Sequence, residues 1–408
     1  MSNAPTPPTA PALLRVFLDC DRCDTTYLRT EITFVDYMRD RSDADVHVLV
    51  TTEGTGGGGT SWTMKFIGQN AHAGDEHVVT FTTAQTATSD IQRKEIARVL
   101  KIGLVAYAAG TPAIDSLNVT YTKPTTTAST VKKKDPWNYW VFRVSANGNL
   151  NGEESSNNKR YSFNGSASRT TENWKMSFST NRNESRSSYD LGDGDLFKSK
   201  SSSWGASGLI VKSAGPRLSF GMRSSSSGSI FSNQNYNITV MPGAEFDVFP
   251  YKESTRRSLT FTYAAGLAYY NYRDITIFDK LTEAVPQHSA GASLGMQQPW
   301  GSLGASVNYS QQLRHPDRYS LGLSGNADVR LFKGFSFNVF GDYSRIRDQI
   351  SLRKGTASNE DVLLRLRQIQ SGYSYYVGFG FSYSFGSIFN SIVNPRYGGG
   401  GGRTFFFF

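Results

Sequence analysis

Apolar and small polar residues alternate along most of the chain between residues 138 and 385. In Ser374–Phe385 one set of alternate positions carries Tyr, Val and Phe, while the other is mostly Ser and Gly. Alternate side chains of a β-strand point to opposite faces of its sheet. The pattern therefore predicts strands with one aromatic face and one face of small polar residues.

The chemistry of these two faces indicates the solvent that each one meets. A sheet in water would carry bulky charged groups on its outer face, whereas Ser, Gly and Asn suit a crowded or water-filled interior. The aromatic face then meets lipid, so the sequence predicts a transmembrane antiparallel β-barrel. We predict about twelve strands, at residues 138–149, 159–169, 174–186, 201–213, 217–229, 236–250, 256–272, 289–298, 301–312, 318–331, 335–351 and 370–385.

The connections between these strands are alternately short and long. Tight connections are predicted at residues 170–173, 214–216, 299–300 and 332–334, and long ones at 190–200, 274–288 and 352–367. In bacterial barrels the short turns lie on the periplasmic side. We therefore expect both the segment before the strands and the segment after them in the periplasm.

The alternating segment, the aromatic-ended strand VGFGFSYSF and the loop alternation resemble the outer-membrane β-barrel proteins of Gram-negative bacteria. The resemblance covers roughly the last two-thirds of the chain. It implies an outer-membrane location and contact with lipid and lipopolysaccharide. In that family the final strand usually ends the chain, whereas here residues 386–408 follow as a predicted periplasmic tail.

The part of the chain before the barrel has a different pattern. Residues 13–122 predict a small α/β domain of order β-α-β-β-β-α-β, with helices at Thr25–Arg41 and from Ser89 to Gly110. Ser89 and Gln92 have capping-box spacing. Residues 1–12 lack the apolar core of a secretory signal and are expected to be disordered, and residues 123–137 are a Pro/Thr/Lys linker.

Composition and charge exclude two other classes. A mean hydropathy of −0.41 and the lack of a long apolar run exclude spans by ordinary apolar helices. The net charge of +9 does not indicate nucleic-acid binding, because cations such as Lys132–Lys134, Arg256 and Arg257 lie near strand ends, where lipid phosphates are the nearer partners.

Candidate chemistry in the first domain centres on Cys20 and Cys23. A structural disulfide is the favoured interpretation, with a thioredoxin-like redox pair second and a metal site third. Gly54–Thr60 lacks the features of a phosphate loop and predicts a hairpin connection. The domain's histidines, His47, His72 and His77, have no metal-ligand spacing, and no cofactor is expected.

The barrel offers no catalytic constellation, so we predict that the protein is not an enzyme. His288 and His315 fall in predicted loops without a Ser or Asp at a recognisable spacing. Polar charges are predicted on the inner face at Arg143, Arg160, Lys175, Glu245, Asp247, Asp328, Arg330 and Asp342. They either line a channel or pair across a plugged interior.

Three classes of function remain open from the sequence, and the enzyme is the one that no feature supports. The small inner residues favour a narrow, weakly selective pore for small solutes. A well-formed periplasmic domain favours instead a structural or assembly component that docks a protein partner or the peptidoglycan. Fold alone does not choose between them, because barrels of this size serve many functions.

Overall fold

The computed structural model describes residues 13–118, 120, 135–190, 196–355 and 371–393. The chain forms two compact units. The first contains residues 1–134, 329–337 and 381–408, and the second contains residues 135–328 and 338–380. The predicted linker, the first twelve residues and the end of the tail fall largely or wholly outside the described residues.

An α/β sandwich forms most of the first unit. Its strands are β1 (Leu14–Asp19), β2 (Val35–Tyr37), β3 (Val46–Gly54), β4 (Thr60–Gly68) and β5 (Glu76–Thr83), and its helices are α1 (Thr25–Glu31) and α2 (Ser89–Ala108). The sheet order is β2-β1-β3-β4-β5, with β1 parallel to both β2 and β3 and the remaining pairs antiparallel.

The core of this sandwich lies between the helices and one face of the sheet. Val46, Val48, Met64 and Phe66 are fully buried on the central strands, and Leu100 and Leu104 of α2 are buried in the same cluster. Alternation along β4 accounts for this, because every second side chain of that strand faces the helices.

Three sequence predictions for this unit need correction. Helix α1 ends at Glu31, not Arg41, because β-branched Ile32, Thr33 and Val35 disfavour helix, and Val35 joins β2 instead. The cap of α2 is Thr88, whose hydroxyl accepts the Ile91 amide, and not Ser89. The last strand of the predicted order, expected at residues 117–122, is not formed at residues 117, 118 and 120, and residues 119, 121 and 122 lie outside the described residues.

Twelve antiparallel strands follow in the order of the chain. They are β6 (Trp140–Glu153), β7 (Ser156–Thr170), β8 (Trp174–Asp190), β9 (Leu196–Ser213), β10 (Leu218–Ser229), β11 (Gln234–Asp247), β12 (Arg257–Tyr272), β13 (Thr282–Gln298), β14 (Gly301–Gln312), β15 (Tyr319–Phe332), β16 (Phe335–Ile346) and β17 (Tyr373–Tyr383). Each strand is hydrogen-bonded to its neighbours in sequence, and β6 and β17 are the two end strands.

The predicted strand number is confirmed, while three boundaries are wrong by five residues or more. Strand β16 ends at Ile346 and not at residue 351, because the chain turns where the Ile350 amide donates to the Asp348 carbonyl. Strand β13 begins at Thr282 and not at residue 289, because Pro286 is accommodated inside it. Proline has no amide to donate, and its carbonyl accepts the amide of Leu313. Strand β9 begins at Leu196 and not at residue 201, so residues 196–200 of the predicted long connection at 190–200 are strand.

The connections separate the two ends of the sheet. One end carries the turns at 171–173, 214–217, 299–300 and 333–334, and the other carries the longer connections at 273–281, 313–318 and 347–372. Three connections are exceptions to the predicted alternation. The connection at 248–256 is long and lies at the end with the short turns, whereas those at 154–155 and 230–233 are short and lie at the other end. No helix in the described part of the chain is long and apolar enough to cross a membrane.

Candidate functional site: the polar face and its loop cover

One face of the twelve-stranded sheet is built from small polar side chains. Strand register brings six polar positions into one row, and five of them are small: Arg143, Ser166, Ser179, Ser207, Ser225 and Thr239. The adjacent row on the opposite face contains Phe142, Ala167, Phe178, Gly208, Ser224 and Val240. We call the first side of the sheet the polar face.

Serine pairs connect neighbouring strands across this polar face. Hydroxyl oxygens approach to 2.7 Å in Ser179–Ser207, 2.8 Å in Ser306–Ser324 and 2.9 Å in Ser336–Ser382. The two hydroxyls of each pair satisfy each other's hydrogen-bonding groups. Because serine side chains are short, they also leave space above the sheet. Ser320, Ser324 and Ser336, each bonded to a serine of the neighbouring strand, therefore lie on the polar face.

The eight predicted charges can be placed by register and alternation. The strand pairings of β6 to β11 place five of them on the polar face, namely Arg143, Arg160, Lys175, Glu245 and Asp247. Asp328 and Arg330 are separated from Ser324 by even numbers of positions along β15, so they lie on the same face as Ser324. Asp342 shares it too, because the Arg347 amide donates to the Tyr319 carbonyl and so aligns even-numbered residues of β15 and β16.

These charges do not form one cluster. Asp247 accepts a hydrogen bond from the Thr260 hydroxyl, whereas Arg330 binds Asp19 in the first unit. Arg223, which the sequence reasoning did not select, has the same parity as Ser225 and also lies on the polar face. Alternation along β10 was the signal that could have identified it.

Two aromatic residues narrow the polar face beside the last strand. The ring of Phe340 lies against Gly378, where an added methyl would come within 2.5 Å of the ring. Tyr376 contacts Phe340 with ring centroids 5.7 Å apart. The polar face is therefore less uniformly small than predicted near Gly378.

Loops from the long-connection end cover part of the polar face. Asn233 is almost fully buried and donates from its amide nitrogen to the carbonyls of Asp274 (2.9 Å) and Ser351 (3.0 Å). Its amide oxygen accepts from the Asp274 backbone amide. One side chain thus ties the 273–281 and 347–355 connections together.

The interior of this loop cluster is buried. Thr276 is fully buried and Ile350 and Leu352 are 5% exposed, and Thr276 forms a β-bridge with Arg353. Beneath it, the polar-face residues Ala268, Val285 and Gln312 are buried as well. We call this cluster, formed by the 273–281 and 347–355 connections, the loop cover. The sequence analysis did not predict it. The left-handed backbone of Asn233 marks its hub, but that conformation is not readable from residue type alone.

A polar cavity of about 520 Å³ lies beside the loop cover. Its walls include the side chains of Lys280, Glu283, Gln312, Arg314 and Arg318. The Arg318 guanidinium stacks 4.0 Å from the centroid of the Phe278 ring, and the Glu283 carboxylate accepts the Tyr272 hydroxyl. The cavity is therefore an ordered, mostly cationic recess at this end of the sheet.

His288 requires a correction, because it lies on β13 and not in a loop. It pairs in register with Gln311, and its Nε2 is 3.1 Å from the Gln311 side-chain oxygen. The misplacement follows from the strand boundary that Pro286 obscured. His315 lies in the 313–318 connection, as predicted.

Cys20 and Cys23 form a disulfide at the turn between β1 and α1, which confirms the favoured interpretation. Among the described residues no group of three or more His, Cys, Asp or Glu side chains is arranged to hold a metal ion. Residues 55–59 connect β3 to β4, as predicted for a hairpin connection. His72 and His77 pack against the Tyr107 ring.

Asp19 is the electrostatic centre of the first unit. Its carboxylate accepts from Nε2 of the fully buried His47 at 3.2 Å, and from both terminal nitrogens of Arg330 at 2.5 and 2.7 Å. Burial alone would raise the Asp19 pKa, but the hydrogen bonds and charges of His47 and Arg330 outweigh it and lower the pKa to about 2.

The turn at residues 333–334 is held by two further carboxylates. Lys333 pairs with Asp43 at 2.5 Å, and the Gly334 amide donates to Asp40 at 2.6 Å. Gly334 has a positive φ of 74°, which suits glycine in this turn. Burial would raise the Asp40 pKa, but the amides of Ser42 and Gly334 lower it overall.

The segment after β17 adds to the edge of the α/β sheet. The Arg39 amide donates to the Ile388 carbonyl, the Asn390 amide donates to the Tyr37 carbonyl at 2.7 Å, and Met38 forms an antiparallel bridge with Phe389. The Ser391 hydroxyl accepts the Tyr37 amide. We call residues 388–391 the edge segment, and it covers the exposed side of β2.

No protein-family model matches the chain, and no curated protein matches it at a significant level. Among solved structures, the translocator domain of autotransporter NalP from Neisseria meningitidis matches 60% of this chain and 88% of that chain. The sequence identity is 14% and the TM-score is 0.25. This likeness is too low to transfer any property to the chain.

The architecture itself defines the class. Twelve consecutive antiparallel strands, with large apolar side chains exposed on one face and small polar ones on the other, are the features of a transmembrane β-barrel. The fold class predicted from the sequence, with a small α/β domain before the strands, is confirmed.

Proposed function

We propose that the protein is a narrow, weakly selective pore for small solutes in the outer membrane, with its α/β domain in the periplasm. The polar face supports the path, because Ser, Gly and Asn side chains leave space for water where bulky groups would fill a barrel of this size. This polar face is the observation that carries the proposal.

The charges on the polar face support weak selectivity. Five of the eight predicted positions lie on β6 to β11 and combine three cations, Arg143, Arg160 and Lys175, with two carboxylates, Glu245 and Asp247. A ring of one sign would favour one class of ion. A polar face that carries charges of both signs favours neither cations nor anions strongly.

The loop cover supports a narrow path. It buries polar-face positions on β12, β13 and β14, so water and solutes have less of the sheet available there. Strands β6 to β10 carry mostly exposed or half-buried residues on the same face. The path is therefore narrowed on the side of β12 to β14.

Planar-bilayer recording of the full chain tests the pore. We expect small channels with nearly equal cation and anion permeability. Gly322→Trp should lower the conductance at least twofold, because it adds a bulky ring on the polar face at a position with no close neighbour. Leu323→Trp, on the opposite face, is the matched control and should conduct normally. Silence from the full chain and from Leu323→Trp would refute the pore.

The loop cover gives a second test of the same proposal. Asn233→Gly removes the amide bonds to Asp274 and Ser351 while tolerating the left-handed backbone, so the conductance should rise. Ser232→Gly, at the neighbouring position, should leave it unchanged. Equal conductance in all three chains would show that the loop cover does not limit the path.

A further inference from the structure

A cluster of cations stands on the apolar face of the sheet, where lipid contact is expected. Lys159 of β7, Arg186 of β8 and Lys200 of β9 are directly opposite one another in register. Arg182 lies on the same face, four residues before Arg186. These four residues form what we call the cation ladder.

The cation ladder is short of negative charge. Glu184 lies between Arg182 and Arg186, and its carboxylate contacts Arg186 at 2.5 Å and Lys200 at 3.7 Å. Four cations thus share one carboxylate in these rows of the sheet. Like charges directly opposite on neighbouring strands destabilise a sheet, and a bound anion would offset that repulsion.

Aromatic residues fix the depth of the cation ladder. Tyr161 is opposite Glu184, and both Phe163 and Trp204 are opposite Arg182. All three aromatic side chains are at least 37% exposed. Aromatic girdles mark the membrane–water interface of outer-membrane barrels. Lys159, Arg186 and Lys200 lie beyond these aromatic residues, at the level of the lipid headgroups, whereas Arg182 lies level with Phe163 and Trp204.

The ladder lies toward the long-connection end of the sheet. It is near the β8–β9 connection, at the end that also carries connections 273–281 and 313–318. In bacterial barrels that end is extracellular. The headgroups that it meets are therefore those of the outer leaflet.

The spacing of the ladder suits a ligand with more than one phosphate. Neighbouring strands are about 4.8 Å apart, so Lys159 and Lys200 are separated by roughly 10 Å. Tyr161, Phe163, Arg182, Glu184 and Arg186 also line a surface cavity of about 190 Å³. Guanidinium groups bind phosphate oxygens in a bidentate manner.

We propose that the cation ladder binds the phosphorylated saccharide headgroup of the outer-leaflet lipid, the lipid A part of lipopolysaccharide. Tyr161, Phe163 and Trp204 contact its acyl chains, and Arg182, Arg186, Lys159 and Lys200 bind its phosphates. The site depends on the membrane orientation of the strands and is independent of conduction by the polar face.

Binding to the purified full chain in detergent micelles tests this site, with native mass spectrometry as the readout. The probes are bisphosphorylated lipid A, its monophosphorylated form and phosphatidylglycerol. We expect retention to decrease in that order. The triple variant Arg182→Gln, Arg186→Gln, Lys200→Gln should retain bisphosphorylated lipid A at least tenfold less well.

The matched control is Arg169→Gln with Lys212→Gln. Both cations lie on the same apolar face, toward the short-turn end of the sheet. The control should change retention less than twofold. Equal retention of lipid A and phosphatidylglycerol, equal loss in the control, or full retention by the triple variant would each overturn the proposal.

A milder variant distinguishes loss of lipid A binding from a folding defect in the triple variant. Lys159→Gln alters one exposed side chain and should reduce retention of bisphosphorylated lipid A about threefold. Unchanged retention by a folded Lys159→Gln variant would also count against the site. Folding is checked by the gel shift on boiling that β-barrels show. Bilayer recording of the same variants keeps a failed pore distinct from a failed lipid site.

Discussion

Gly103 shows how closely a helix approaches the sheet of the α/β sandwich. It lies in the middle of α2, and a methyl group built at its Cα would come within 2.0 Å of the Phe66 ring. Phe66 is itself fully buried on β4. The absent side chain therefore allows the helix and the ring to pack in contact.

Gly103→Ala should destabilise the α/β sandwich. Alanine favours helix by about 1 kcal/mol, but overpacking a well-filled core costs roughly 1–3 kcal/mol, and the Phe66 ring has little room to move. The change in the free energy of unfolding is measured by urea unfolding, with hydrogen exchange of the β4 amides as the readout. Gly110→Ala is the control, because its added methyl would meet nothing closer than 4.0 Å. A stabilised Gly103→Ala variant would contradict the packing.

Asp19 should make the first unit sensitive to acid. Its folded pKa of about 2 is below the ordinary value of 3.8, so the folded state favours the charged carboxylate. The stabilisation is complete above about pH 4 and is lost as the pH falls towards 2. By linkage it amounts to roughly 2 kcal/mol.

Hydrogen exchange of β1 and β3 amides between pH 5 and pH 2.5 measures this acid sensitivity. Asp19→Asn should increase opening at pH 5 and flatten the pH dependence, because Arg330 and His47 lose their carboxylate partner. Asp21→Asn, an exposed change in the adjacent turn, is the control. An unaltered pH profile in Asp19→Asn would assign the acid sensitivity to other groups.

Residue-level features were predictable from sequence only where they are local. The Cys20–Cys23 bridge spans three positions, so spacing was enough to propose it. The contact of Asp19 with His47 spans 28 positions and its contact with Arg330 spans 311. Nothing in one sequence reports such a distant pairing, so this centre was missed.

At the level of elements, the periodicity of apolar residues predicted the strands and helices that are long and regular. The strands β6 to β17 alternate over eleven or more residues each, and α2 runs for 20 residues, so their patterns were readable. The three-residue β2 was read as the end of a helix. Its pairing with β1 and with the edge segment decides its conformation, and both are tertiary contacts.

Asn390→Pro tests whether the edge segment is a strand of the α/β sheet. The substitution removes the amide that donates to the Tyr37 carbonyl, so β2 amides should exchange at least tenfold faster. Asn390→Ala retains that amide and should exchange like the wild type. Faster exchange in both variants would attribute the effect to the Asn390 side chain and not to strand addition.

At the level of the whole molecule, the two end strands have one neighbour each in the described sheet. Val144 of β6 is 89% exposed and Phe379 of β17 is 76% exposed, against 39% for Val240 and 44% for Val307 on interior strands. Unpaired backbone groups are too costly in hydrocarbon. In the membrane we therefore expect β6 and β17 to pair, closing the barrel.

Cysteine cross-linking in membranes tests this closure. Ser145→Cys is combined in turn with cysteine at Ser374, Tyr376, Gly378, Gly380 and Ser382, which share the polar face. One or two adjacent positions should form an intramolecular disulfide in high yield. Ser145→Cys with Ser225→Cys, on the distant strand β10, is the control. Disulfide-linked dimers in place of intramolecular bridges would show that the end strands pair between copies.

The edge segment has a consequence for the order in which the protein matures. Tyr37 and Ser391 are 354 positions apart, so the sheet near the start of the chain receives an edge strand from close to its end. Synthesis proceeds from the amino terminus, and domains usually fold as they emerge. Here the α/β domain emerges before β6 to β17 and is completed only after them. Until the edge segment has bound, the backbone of β2 is unpaired on that side. A quality-control protease could recognise an unfinished molecule by this unpaired edge.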